Sequence, residues 1–224
     1  MFRRCRAVIL AASLMTLPSA IAVGQEQPSA GAQQVAPAQP VRIEGFRSAQ
    51  WGMTEAQVKA AIAKDFKTAP EKIRSEENLA ERTQVLAITV PDLLEGAGAA
   101  KISYIFGHAS KKLIQVNLLW GTAIDPQVST ERILAAADQL RQLLLDSGYE
   151  PQSIIANAKT SDGEMLVFKG EDADKHVTVL RLAAAAQPAR RDNSEKPTTV
   201  TALALSYIFD AQRPDIYRLK KGQF

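Results

Sequence analysis

The sequence predicts an α+β protein, an antiparallel sheet with two main helices packed on one face. Three observations carry that expectation. Short segments alternate apolar and polar residues, Gly-, Pro- and Asp-rich breaks separate them, and only two stretches repeat apolar residues at helical spacing. Strands joined by short turns pair antiparallel, and such a sheet commonly buries a single face, so both helices belong on that face.

The chain starts MFRRCRAVILAASLMTLPSAIAVGQEQ, with Arg3, Arg4 and Arg6 ahead of an apolar run from Ala7 to Leu17 and then small residues. That run is shorter than the ~20 apolar residues that span a bilayer. The order is that of a secretory signal peptide over residues 1–24, cleaved after Ala22 or Gly24, and it predicts export to the periplasm. Arg3-Arg4 hints at twin-arginine export, but Arg6 and Ala7 stand where apolar residues are wanted, which favours ordinary secretion. Cys5, the one cysteine, lies in the basic region and leaves with the signal. The mature chain is then cysteine-free and holds its fold without disulfides. Loss of the three arginines leaves 24 basic against 24 acidic side chains. A neutral chain with no basic block lacks the electrostatic footprint of a nucleic-acid binder, and the mature chain is expected to have no transmembrane segment.

Residues 25–40, QEQPSAGAQQVAPAQP, are too polar to offset their ordering entropy and should form a flexible leader. A single domain follows over 41–210, divisible into halves 41–119 and 120–210, with a C-terminal tail over 211–224. The first helix is expected over 55–66. Thr54 and Gln57 make a capping box, Met53 and Val58 an apolar staple, and Val58, Ile62 and Phe66 one buried stripe. Gly52 turns the chain into the cap.

Alternating strands come next, around Leu86–Val90, Ile102–Phe106 and Ile114–Trp120. A second helix runs from Thr130 to Asp146 on a stripe of Ile133, Ala137, Leu140 and Leu144, widened by Leu134 and Leu143. Gly148 is placed to terminate it in the left-handed region. Ser153–Ile155, Met165–Phe168, Val177–Leu182 and Val200–Phe209 are the remaining strands, with turns at Asp162-Gly163 and Gly170–Lys175. Trp51-Gly52 and Trp120-Gly121 each close a strand before a helix, which suggests a duplicated helix-plus-meander unit.

The face opposite the inferred core carries Ala87, Ser103, Ile105, Gln115, Asn117, Ala202, Ala204 and Ser206, with Val85, Val177 and Val179 beside them. Small, mixed side chains let another surface approach, so this face is the candidate binding site; the loop over 183–199 or the tail would otherwise cover it. Arg190-Arg191 lie mid-loop, in a segment expected to be disordered.

Catalytic constellations are missing from the sequence. His108 and His176 are the only histidines, no Gly-x-Ser-x-Gly elbow exists, and Gly96 and Gly98 precede a strand, not a helix. Glu171, Asp172 and Asp174 could hold a hard cation, but GEDADK lacks the glycine and distal glutamate of a calcium loop and reads as an acidic hairpin turn. Glu95, Asp125 and Asp146 read as turn or helix-end residues. No cofactor and no metal are expected.

WGMTEAQV resembles the Gly-Met-Ser/Thr-x-x-x-Val helix entry of small envelope modules, notably the BamE/SmpA-like outer-membrane assembly family, at Gly52, Met53, Thr54 and Val58. The resemblance implies helices beside a three-strand meander that binds partner proteins and has no catalytic centre. This chain differs in having no lipid-attachment cysteine, one helix before its first meander, and a second unit. The expected function is a non-catalytic periplasmic accessory or binding protein with a periplasmic or envelope protein as partner. The alternatives are a hydrolase of envelope polymers using a carboxylate pair, and a carrier of apolar small molecules.

Overall fold

The computed structural model describes residues 40–161, 164–186, 199–219 and 222. The expected signal peptide, almost all of the expected leader, the expected Asp162-Gly163 turn and Arg190-Arg191 lie outside the described residues. No helix among those residues is long and apolar enough to cross a membrane.

A short hairpin of β1 (Gly45–Phe46) and β2 (Ala49–Gln50) leads into α1 (Glu55–Phe66). The capping box forms as the sequence requires: Thr54 accepts from the Gln57 amide, and the Gln57 side chain accepts from the Thr54 amide at 2.9 Å. Val58 and Ile62 are fully buried, and Phe66 packs half-buried beside them. Asp65, near the helix end, accepts from the amide and hydroxyl of Ser48 and so pins the hairpin to the helix.

Four strands follow: β3 (Arg74–Asn78), β4 (Thr83–Val90), β5 (Ala100–Phe106) and β6 (Leu113–Gly121). Then α2 (Thr130–Leu145) leads into β7 (Ile155–Lys159), β8 (Met165–Glu171), β9 (Val177–Ala186) and β10 (Thr199–Ile208). A 3-10 turn sits between helix and first strand in each half, Pro70–Lys72 in one and Pro151–Ser153 in the other. The element order therefore repeats. Each half is a helix, a proline-led turn and a four-strand antiparallel meander.

All eight strands form one sheet in the order β3-β4-β5-β6-β10-β9-β8-β7. The halves join through the last strand of each, β6 against β10, antiparallel. Core side chains line up across that joint: Val116 opposite Tyr207, Leu118 opposite Leu205, Trp120 opposite Leu203. Ile102, Tyr104, Phe106, Leu86 and Leu180 extend the same face, and Ile133, Ala137, Leu140 and Leu144 of α2 cover it with Val58 and Ile62 of α1. Each fully buried Leu, Ile or Phe contributes about 1.5–3 kcal/mol.

Four expectations need correction. Leu134 and Leu143 do not widen the α2 stripe; they are 46% and 62% exposed. At 3.6 residues per turn they project roughly 90° to either side of the buried line. Ser153 belongs to the 3-10 turn, and the strand it was expected to open runs Ile155–Lys159. Arg74–Asn78 is a strand that alternation does not reveal, since all five residues are exposed. Phe209 lies beyond β10 and outside the core, 44% exposed. Gly148 does take the left-handed conformation, with φ 81°.

The edges of the sheet are short and blunted. β3 reads RSEEN, and β7 is only five residues long, with Asn157 in the left-handed region at φ 55°. Shortness and charge are usual guards against edge-to-edge pairing.

The tail from Phe209 to Tyr217 folds back along the hairpin tips. The Asp215 carboxylate accepts from the amides of Ala109 and Ser110 at 2.9 and 2.8 Å, and Asp215 O from His108 N at 2.7 Å. A side chain at Gly107 would collide with that carboxylate. Farther on, Tyr217 N donates to Glu81 O, and the Arg82 guanidinium lies 3.8 Å above the Tyr217 ring.

Two buried tyrosines make opposite predictions. The Tyr104 hydroxyl is buried without a partner among the described residues, so Tyr104→Phe should be neutral or stabilise by up to about 1 kcal/mol. Tyr149 donates to Thr178 at 2.8 Å, so Tyr149→Phe should cost about 1–2 kcal/mol; urea unfolding distinguishes them. Burial works against ionisation of Asp215, but the Ser110 hydroxyl and the amides of Ala109 and Ser110 outweigh it and hold its pKa below the usual range. A lowered carboxyl pKa stabilises above the unfolded value and is lost as pH falls through the folded one. Amides 108–110 should therefore lose hydrogen-exchange protection on acidification below the ordinary carboxylate range, and lose it at neutral pH in Asp215→Asn.

Candidate functional site

The eight expected binding-face residues share one face of the sheet, because strand register puts them there. One row runs straight across: Arg74, Ala87, Ser103, Asn117, Ser206, Val179 and Lys169 on β3, β4, β5, β6, β10, β9 and β8. The row on one side holds Glu76, Val85, Ile105, Gln115, Ile208, Val177 and Glu171. The row on the other holds Thr89, Lys101, Leu119, Ala204, Arg181 and Leu166. Ala202 lies one step further, opposite Gly121.

Charge is distributed unevenly over this face. Ser103, Ile105, Gln115, Asn117, Leu119, Ala204, Ser206 and Ile208 make an uncharged centre on β5, β6 and β10. Arg74, Glu76, Lys101, Lys169, Glu171 and Arg181 stand around it. Within the centre Gln115 donates to Asn117 at 2.8 Å, so two polar groups are already oriented. Ala87 does not belong to the accessible part: it is 2% exposed, as Val177 and Val179 are also buried. The other seven candidates are half-buried, their short side chains lying among longer neighbours such as Leu119 and Ile208.

Among the described residues, clefts indent the molecule beside this face, two of them bearing on function. The larger, about 590 Å³, lies between the Pro70–Lys72 turn, the end of β4, the start of β5 and residues 123–124. The smaller, about 180 Å³, brings Asp210 and Asp215 together under the tail. A hydrolase needs two carboxylates of different pKa, and the electrostatics of these two run the wrong way. The amides of Arg213 and Gln212 hold Asp210 below the usual carboxylate pKa, and Asp215 is lowered as described. A carboxyl that must donate a proton needs a raised pKa.

The acidic turn GEDADK has a definite task. Asp172 is 1% exposed and its carboxylate is saturated. One oxygen accepts from the amides of Asp174 and His176, both at 2.9 Å; the other accepts from the Ile43 amide at 2.7 Å and the His176 Nδ1 at 3.1 Å. Four donors use the lone pairs a cation would require, although Asp172, Asp174 and His176 lie close enough to suggest one. The His176 ring then stacks on Phe209 at 5.1 Å, with Trp51 6.1 Å away. Trp51 in turn donates its indole N–H to Ile43 O. The cluster fastens residues 41–44 to the second half.

No known protein family, curated protein or solved structure matches this chain. Its chemistry must be argued from its own residues. Sequence reasoning missed Lys72 and Arg74 at the larger cleft, because the 3-10 turn and strand start over residues 70–74 carry no alternation. It also missed Asp172 as an anchor, since the one donor that makes it an anchor, the Ile43 amide, lies 129 residues away.

Asp172→Ala strands the donors of Ile43, Asp174 and His176 and should cost about 3 kcal/mol, measured by urea unfolding. Calcium or zinc should leave the wild-type thermal midpoint unchanged; a rise with metal would reassign the cluster.

Proposed function

We propose that this chain is an exported accessory protein of the envelope that binds a protein partner through the helix-free face of its sheet and has no catalytic centre of its own. The observation that carries this reading is the uncharged centre on β5, β6 and β10 within a rim of charged side chains. Protein interfaces show the same division, with charge depleted from the core of the patch and kept at its edge. The half-buried Ser103, Asn117 and Ser206 offer hydrogen bonds that a partner can satisfy at little desolvation cost, and their small size permits close approach. The matching partner presents a neutral, relatively flat surface, with the rim charges setting its orientation.

The export address rests on the basic, short-apolar and small-residue order of residues 1–24. The helix entry WGMTEAQV adds its resemblance to partner-binding envelope modules. Against the hydrolase reading stands the downward shift of both acids in the Asp210–Asp215 pocket.

Ser103→Arg, Asn117→Arg and Ser206→Arg together should weaken partner capture about tenfold or more while leaving the unfolding midpoint near its wild-type value. The captured partner should slow amide exchange in β5, β6 and β10. Undiminished capture by the triple variant would refute the sheet-face assignment.

A further inference from the structure

The two halves treat the same corner differently. In each, a proline-led 3-10 turn is followed by an isoleucine packed partly buried on the core, Ile73 or Ile154, and then by the first residue of a strand. That strand residue faces its neighbour in register, Arg74 opposite Ala87 and Ile155 opposite Lys169. Lys72 thus corresponds to Ser153, and Thr89 to Glu171.

In the second half the corner is sealed. The Ser153 hydroxyl accepts from the Glu171 amide at 2.7 Å and donates to Glu150 O at 2.7 Å, and the Glu150 amide donates to Glu171 O at 2.9 Å. In the first half a lysine occupies the serine's place. Among the described residues the amides of Lys72 and Ile73 bond only back into their own turn, and no hydrogen bond joins the turn to β4. The 590 Å³ cleft stands where the seal would be.

We propose that this cleft is a binding site for the anionic group, carboxylate or phosphate, of a small organic ligand. Lys72, Arg74 and Lys101 line it against a single acid, Glu71. Lys101 is engaged by Glu76 at 3.3 Å. Neither Lys72 nor Arg74 has a side-chain hydrogen bond or ion pair among the described residues, so their donors are available. The planar Arg74 guanidinium suits bidentate recognition of either anion, and Lys72 adds a point charge. Ala123 and Ile124 give the ligand's apolar part a surface to lie on. The volume falls within the range of pockets that hold small ligands. An isolated pair of unpaired cations beside an apolar floor, at a corner the twin half closes with uncharged groups, is the signature of a site and not of a packing fault.

The test is a titration of the isotope-labelled full chain with phenyl phosphate, with benzoate, and with benzyl alcohol as the uncharged control, followed by amide NMR shifts. Phenyl phosphate or benzoate should move residues 71–74, 87–89 and 123–124 and leave 152–155 and 169–171 in place; whichever binds more tightly names the anion. Lys72→Gln with Arg74→Gln should weaken binding about tenfold or more. Both residues are exposed, and unchanged shifts elsewhere establish that the variant is folded. Raising salt from about 0.05 M to about 0.5 M should weaken binding too, because the cleft is open to solvent. Binding of benzyl alcohol as tightly as the anions, shifts outside the cleft, equal affinity in the double variant, or no shifts with either anion would each overturn the proposal. None of these outcomes bears on the sheet-face reading, which requires a protein partner.

Discussion

The antiparallel pairing of β6 with β10 is the constraint on which the rest depends. Separated, each meander would present a long strand with an unpaired backbone and a row of apolar side chains, including Trp120 and Val116 on one and Leu203 and Leu205 on the other. Such edges invite pairing with any available strand. Joined, they become the centre of an eight-stranded sheet whose outer edges are the short charged β3 and the short β7. The joint also makes one core out of two, so the buried stripes of both helices belong to a single cluster.

The uncovered face follows from the same geometry. Two helices on one side leave the other to side chains alone, and register decides which of them meet. Ser103, Asn117 and Ser206 come from distant parts of the chain yet fall into one row across the central strands. Charged residues fall at the two ends of that row, Arg74 and Lys169, or in neighbouring rows on outer strands and strand ends. A face with a neutral middle is therefore a product of strand order, whatever use the cell makes of it.

Most of this architecture could be read from the residues. Alternation located β4, β5, β6, β8, β9 and β10, and the capping box at Thr54 and Gln57 set the start of α1. β3 escaped because an edge strand exposed on both faces shows no alternation; RSEEN looks like a loop. Leu134 and Leu143 misled because helical spacing says which residues share a stripe but not how wide the covering sheet is. The tryptophan pairs do each close a strand before a helix. The two tryptophans differ in environment, Trp51 half-buried with its indole N–H on Ile43 O and Trp120 fully buried with none. The closer correspondence lies in Pro-x-x-Ile at 70–73 and 151–154, too short and too polar to stand out. Site residues were legible where register follows from alternation, and illegible where, as at Lys72 and Arg74, a cleft arises from a seal the chain fails to make.

The hydrogen bond from Ile43 to Asp172 spans 129 residues of sequence. Loop closure over such a distance is slow relative to local pairing. On a ribosome the first half can shape its helix and meander early, and Trp51 already holds Ile43 O, but the Ile43 amide has no acceptor until Asp172 follows β8 out. The amino-terminal latch therefore closes well behind the meander it belongs to.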